Sequence, residues 1–440
     1  MNFVAICLHS CDMRDFHSNM RDTPFMDRLR RESVFLPLGR GQGHHQGDSL
    51  NTELTGIWTA RYCDSSLTEE GLKSPENCRF PKTVIEYLEE DGYDLFTRIS
   101  LGSPKLGTFA VVGGLERFWM KDEPQRLEQF FTPKEVEVPG DVAETYADAE
   151  IPAIPEMMAT IQGSDKFFAC FFVRETHRAW GQTEGLCALE GKPPGNWPVD
   201  AFSARKAALD KPDEFAALRR RGLASADKIV ESIFKATQHL DDVTYLVYSN
   251  HGEVYDHFRY NLPYKNDGRT MIVGTSHGSY PYEVLYANMQ MWVIPGQKPR
   301  VMKGIGRSVD IPATILDLAG IEHGPMDGES MLPLFAQGNF PDRERYAENQ
   351  HRGPSAPVLG YGCLSMVRKD GYKIISTGPV KEFQEGEEKF GPDYHQLAVF
   401  DLNSDPYEYV NLIDSTEGQE VLEWAMNRHL ELKDDAWRKS

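Results

Sequence analysis

Several features that would place a protein quickly are scarce in this sequence. Its 440 residues carry seven cysteines, Cys7, Cys11, Cys63, Cys78, Cys170, Cys187 and Cys363, and no CxxC pair. An odd, scattered set offers neither a disulfide framework nor a zinc-ribbon spacing, so free thiols in a reducing compartment are expected. No stretch approaches the roughly 20 apolar residues of a membrane span. The apolar run from Phe3 to Leu8 is too short for a signal peptide and has no basic leader, so a cytoplasmic protein is expected. Basic residues are few: 47 Lys and Arg face 67 Asp and Glu, a net charge of −20. That balance excludes nucleic acid as the main partner, because phosphate binding needs clustered cations. Internal repeats and low-complexity tracts are absent too. The partner expected is a small-molecule substrate, without nucleic acid or membrane, and the oligomeric state is left open.

What is present is a chain long enough for one large α/β domain and a smaller appendage. Its most informative stretch is Tyr245-Leu246-Val247-Tyr248-Ser249-Asn250-His251-Gly252-Glu253. A run of β-formers stopping in a polar cluster reads as a buried parallel strand delivering side chains to the carboxyl edge of a sheet. Asn250 and His251 are both able to bind a metal. Asn2 to Leu8 repeats the pattern and ends in His9-Ser10-Cys11-Asp12; Lys166 to Val173 ends in Arg174-Glu175-Thr176-His177. Thr23-Pro24 predicts a helix start, with Thr23 as N-cap and Pro24 at the first helical position. Ser33 to Leu38 predicts a strand, followed by the glycine-rich loop Gly39 to Ser49 and a helix from about Leu50. Such a loop suggests backbone amides offered to an anion, although no Walker spacing is present. Further helices are expected over Lys82 to Glu90, Leu223 to Gln238 and Ser308 to Ala319, and further strands at Leu95 to Ile99 and Met289 to Ile294. Regions 103–150 and 181–215 read as insertions, the second lid-like. After about residue 345, short strands at Leu364 to Val367, Tyr372 to Ser376 and Leu397 to Leu402 precede a terminal helix. Alternating strands and helices followed by a strand-rich tail predict an α/β domain over 1–345 and an α+β subdomain over 346–440.

The order of these pieces resembles the sulfatase branch of the alkaline phosphatase superfamily. Thr23-Pro24-Phe25-Met26-Asp27-Arg28-Leu29 is similar to its TPNxDRLA helix, and Leu54-Thr55-Gly56 to its LLTG. Tyr87-Leu88 through Gly92-Tyr93 resembles the L-x-x-x-GY segment, Glu175-Thr176-His177 the pHxP turn, and Ser249 to Glu253 the SDHGE motif. Val309 to Gly320 resembles DxxPTLLDLAG, Asp327 to Ser330 resembles DGxSL, and Phe400 to Glu408 with Asn411-Leu412 resembles LYDLxxDPxExxNL. The resemblance implies a central mixed sheet flanked by helices and a small C-terminal antiparallel sheet.

The catalytic positions depart from the family. Where paired aspartates would bind a divalent cation, His9 and Ser10 stand. The cysteine that becomes formylglycine falls at Gln46, within Gln46-Gly47-Asp48-Ser49-Leu50; the cousins' threonine is absent as well. Asn250 replaces a metal aspartate, His251 matches, and His277-Gly278 resembles the metal-site histidine of the phosphoethanolamine transferase relatives. Formylglycine chemistry is therefore not expected. His9, Asn250, His251 and His277 instead suggest one divalent metal ion, with Zn²⁺, Fe²⁺, Mn²⁺ or Cu²⁺ suiting imidazole better than Ca²⁺. Such an ion would activate water without a nucleophilic side chain. Asp12, Asp48 or Asp256 would add a carboxylate, while His177 and His44 or His45 would orient substrate or move protons and Gln46 would orient a water. The leading expectation is thus an atypical metalloenzyme acting on a small anionic or polar substrate. The alternatives are a phosphate or sulfate ester hydrolase using Ser49 or Thr52, and a non-catalytic binding protein on the same fold.

Overall fold

The structure, a computed structural model, describes residues 1–11, 22–43, 46–58, 61, 81–99, 153–173, 176, 212–252, 282–349, 363–377 and 397–434. Twelve strands among them form two sheets. The larger contains β1 (Asn2–Leu8), β2 (Val34–Arg40), β3 (Asp94–Ile99), β4 (Phe167–Val173), β5 (Val243–Ser249), β6 (Ala287–Val293), β7 (Arg300–Val301) and β8 (Gly306–Arg307). Their order is β3-β4-β1-β5-β6-β2-β7, with β8 also paired to β2. β1 lies between β4 and β5 and is parallel to both; β6 alone runs against its neighbours β5 and β2. The carboxyl ends of β1, β2, β4 and β5 therefore share one edge with the start of β6. Register sharpens this: Leu8 is level with both Val173 and Ser249, so the residues that follow the three strands emerge side by side.

Helices cover both faces, which is why β1, β4 and β5 read as near-continuous apolar runs rather than alternating ones. Val4, Ile6 and Leu8 pack with Phe25, Met26 and Leu29 of α1 (Pro24–Glu32) and with Ile229 and Ile233. Phe3, Ala5 and Cys7 face the other way, against Leu50 and Leu54 of α2 (Gln46–Thr55), Val84 and Leu88 of α3 (Val84–Glu90), and Ile311 and Ile315. Full burial of each such side chain stabilises the fold by roughly 1.5–3 kcal/mol. The remaining helices are α4 (Ala153–Ile161), α5 (Pro212–Thr237), α6 (Glu283–Tyr286), α7 (Asp310–Ala319), α8 (Leu332–Gln337) and α9 (Thr416–Asp434). Among the described residues none is long and apolar enough to cross a membrane. Cys7 and Cys170 are free thiols, and both they and Cys11 are buried.

The second sheet is antiparallel, in the order β12-β11-β10-β9: β9 (Arg345–Asn349), β10 (Cys363–Val367), β11 (Tyr372–Thr377) and β12 (Leu397–Asp401). Its first strand begins at Arg345. Tyr346, Met366, Ile374 and Val399 pack there with Val421 and Ala425 of α9.

Four local expectations are corrected. β2 runs on to Arg40 through a register shift between Leu36 and Gly39 that absorbs Pro37. α2 starts at Gln46, four residues before Leu50, so Gln46 opens a helix rather than sitting in the loop. Thr23 makes no side-chain cap. The cap of α1 is tertiary: the buried Asp227 carboxylate of α5 accepts from Phe25 N at 3.0 Å and Met26 N at 2.7 Å. Helix α5 likewise begins at Pro212, eleven residues before the expected Leu223.

Candidate active site at the carboxyl edge

The site is assembled from strand ends. Beyond β1, the His9 backbone N–H donates to Val173 O of β4 at 2.9 Å, and Thr176 Oγ1 donates back to His9 O at 2.6 Å. At the end of β5, Ser249 Oγ donates to Cys11 O at 2.8 Å. These hydrogen bonds lock the three strand ends together. Two glycines then allow close backbone approach. A Cβ on Gly252 would lie 2.1 Å from Val284 O, and one on Gly41 would lie 2.4 Å from Asn250 O. Their amides are held by α6, with Gly252 N donating to Leu285 O and Gly41 N to Tyr286 O.

His9, Ser10, Asn250 and His251 meet at this edge, all fully buried. The His9 and His251 rings are 5.4 Å apart, edge to face, and His9 also lies 4.8 Å from the Phe172 ring. Asn250 Oδ1 accepts from Ser10 N at 3.0 Å and His251 N at 2.9 Å, which occupies both of its lone pairs. Among the described residues Asn250 Nδ2 has no hydrogen-bond partner. His251 Nδ1 is 2.8 Å from Gly252 O. A carbonyl only accepts, so the proton sits on Nδ1 and Nε2 presents its lone pair; Ser10 Oγ stands 3.3 Å from that lone pair.

These contacts bear on the expected metal centre. Asn250 and His251 do reach one point with His9, but the Asn250 oxygen is taken by backbone donors and His251 Nε2 faces a hydroxyl. Among the described residues no three His, Cys, Asp or Glu side chains converge to hold an ion. The other expected ligands lie outside the described residues, and no chemical step below runs through an ion. His277, His177, His44, His45, Asp12 and Asp256 lie outside the described residues, as do the side chains of Gln46 and Asp48.

Ser49 and Thr52 are both fully buried on α2. Ser49 Oγ donates to Gly43 O at 2.9 Å and Thr52 Oγ1 to Ser49 O at 2.8 Å, so each hydroxyl proton is committed to a backbone carbonyl near the start of the helix.

A second buried group lies beneath the edge and was not foreseen. Glu53 of α2, Cys7, Cys170 and Tyr248 cluster on the α2 face of the sheet. Burial pushes the Glu53 carboxyl well above the usual carboxylate range, with only Tyr248 opposing it. Burial and the Glu53 charge raise Cys170 to about 12, and Cys7 and Tyr248 are raised as well. Burial disfavours the charged form of all four groups. One glutamate on an otherwise amphipathic helix gives no sign in sequence of facing inward.

A family model for sulfatases matches residues 1–321. The chain belongs to the sulfatase family. Sulfatases and a related hydrolase also supply the structural neighbours. A protein solved with its substrate D-glucosamine-2-N,6-O-disulfate shares 14% identity and a TM-score of 0.64, over 100% of this chain and 99% of that one. A 2-O GAG sulfatase shares 15% identity and a TM-score of 0.61, over 100% and 94%. The phosphonate monoester hydrolase of Agrobacterium radiobacter shares 15% identity and a TM-score of 0.60, over 98% and 95%. At this identity they establish the fold. No curated protein matches the sequence.

The sulfatase-like motifs of the C-terminal half serve as ion-paired staples. Asp310 pairs with Arg307 at 2.7 Å and Arg343 at 2.8 Å; Asp327 pairs with Arg61 at 2.7 Å and accepts from Trp58 N. Glu408, from the DPxE motif, contacts Lys373 at 2.6 Å and accepts from Glu283 N at 2.7 Å. Glu283 also meets Arg40 at 2.8 Å and Arg345 at 2.7 Å. Burial would raise the Glu283 carboxyl, but Arg345, Lys373 and Arg40 outweigh it and hold the group well below its ordinary value.

Proposed function

We propose that this sulfatase-family chain is a hydrolase of small polar or anionic esters that works without formylglycine, through imidazole chemistry at the carboxyl edge of the large sheet. The observation that carries this reading is His251, with Nδ1 fixed as a donor to Gly252 O and Nε2 directed at a hydroxyl. An imidazole held in one tautomer presents a fixed nitrogen lone pair to a hydroxyl proton. Membership of a family whose neighbours include a sulfatase and a phosphonate monoester hydrolase supports ester cleavage as the reaction type. Gln46 supports the exclusion of formylglycine, since an amide cannot be converted to that aldehyde.

The test is turnover of nitrophenyl acetate, phosphate, sulfate and phenylphosphonate by purified protein, with bound metal measured on the same sample. Hydrolysis of at least one ester, lost in His251→Gln, is expected. No turnover by wild-type protein removes the hydrolase reading. An ion retained by wild type and released by His9→Ala and His251→Ala would instead restore a metal-centred enzyme that includes His277.

A further inference from the structure

We propose that Ser10 is the nucleophile of this site, that His251 is its general base, and that the substrate class is carboxylic esters. The inference rests on the hydrolase reading above and adds to it a covalent intermediate. Three independent features of the geometry point to it. Ser10 Oγ lies 3.3 Å from His251 Nε2, the nitrogen that Nδ1 donation to Gly252 O leaves as an acceptor. A serine beside an imidazole that a third group orients is the arrangement by which a weak hydroxyl becomes a nucleophile. Ser10 also sits in the left-handed region, φ 55°, directly after a buried strand. That conformation costs an L-residue about 1–2 kcal/mol. Strain of this kind in a buried strand-end turn is held by its surroundings, here the Asn250 Oδ1 bond to Ser10 N, and it concentrates at functional sites. Finally, the amide that fixes Ser10 N carries a fully buried donor, Asn250 Nδ2, with no partner among the described residues. An N–H without an acceptor in a buried site suits an oxygen that gains charge during reaction.

The substrate class follows from what these groups are. A hydroxyl, an imidazole and a carboxamide are all neutral. They match acyl transfer, in which one negative charge develops on one carbonyl oxygen; phosphoryl transfer calls for cations around a charge spread over three oxygens. Ser10 Oγ bonds to the acyl carbon and its proton passes to His251 Nε2. The carbonyl π pair moves onto oxygen beside Asn250 Nδ2. Collapse re-forms the carbonyl and expels the alcohol, which takes the proton from Nε2. Water then attacks the acyl-serine carbon and gives its proton to Nε2. The second collapse returns that proton to Ser10 Oγ and frees the carboxylic acid.

The probe is an alkyl fluorophosphonate on the full-length protein, read by peptide mass spectrometry. Ser10 Oγ would displace fluoride from phosphorus and keep the phosphonyl group. A single adduct on the Ser10 peptide is expected. It should be absent in Ser10→Ala and formed about 100-fold more slowly in His251→Gln, the lower end of what a general base contributes. Ser232→Ala, on the outer face of α5, should label like wild type. Melting curves of all variants separate loss of labelling from loss of fold, and His251→Gln provides the second variant should Ser10→Ala not fold. Labelling that persists in Ser10→Ala overturns the proposal. Ester turnover without any Ser10 adduct overturns it too, and leaves the hydrolase reading standing. An adduct without turnover of any ester keeps the serine–histidine pair and removes the hydrolase. Turnover of phosphate or sulfate esters but not acetate overturns the substrate class.

Discussion

At the ends of β1 and β5 the buried polar groups are His9, Ser10, Asn250 and His251, whereas around Glu283 three cations, Arg40, Arg345 and Lys373, meet two carboxyl groups, Glu283 and Glu408. Both regions are buried and both grip α6. Glu283 anchors that helix to the second sheet, and Leu285 O and Tyr286 O hold Gly252 and Gly41 beside the site. The difference teaches a division of labour. Buried charges tolerate no rearrangement, because each must keep its partner, so they suit a joint between two sheets. Neutral donors and acceptors exchange protons and partners at small cost, so they suit chemistry.

One pair of variants would break that comparison if the roles were shared. Lys373→Met removes the fully buried ammonium between Glu283 and Glu408, leaving Glu408 without a cation. A loss of about 3–5 kcal/mol in urea unfolding is expected, with activity per folded molecule largely kept. His251→Gln should do the opposite: turnover falls by about 10²–10⁴-fold, with about 1 kcal/mol of stability lost. Equal effects of both variants on turnover would dissolve the distinction.

Asp227 sharpens it from a third position, as a single buried carboxylate with two backbone donors. Asp227→Ala leaves Phe25 N and Met26 N without an acceptor, and a loss of about 1–2 kcal/mol is expected, as for other cap deletions. A change below experimental error would mean that the Thr23 hydroxyl takes over the cap.

Glu53 gives the clearest pH signature. Its folded carboxyl titrates above the ordinary value of 4.5 because burial disfavours the charge. Its contribution to stability is therefore complete below about pH 4.5 and fades as pH rises through the folded value, since the unfolded chain ionises first. Glu53→Gln removes that proton uptake. Its Tm should match wild type near pH 4.5 and exceed it increasingly toward pH 8. A Tm difference that is flat with pH would show that Glu53 is not held neutral.

Much of the architecture was legible because it follows from periodicity. β1, β4 and β5 announce themselves by unbroken apolar runs, and α7 by its spacing and by Gly320, which adopts φ 71° at the C-cap. The sulfatase resemblance rests on the same local patterns, and the family match over residues 1–321 agrees with it. The site was legible only in part. His9, Asn250 and His251 were named because strand ends in parallel sheets converge. Ser10 was noted as a replacement for an aspartate and given no role, since a positive φ and a facing imidazole have no local signature. Ser49 and Thr52 drew attention by proximity to Gln46, yet on a helix their hydroxyls turn to backbone carbonyls within reach.

By itself the sequence determined which segments become strands and helices, and that neutral side chains replace acidic ones after the first and fifth strands. Those are properties of neighbours along the chain. Tertiary structure decided which lone pairs are already occupied: that the Asn250 oxygen serves two amides, that His251 carries its proton on Nδ1, and that Asp227 rather than Thr23 caps α1. Each depends on groups some 200 residues apart or on the direction of a single hydrogen bond, and neither is encoded in spacing.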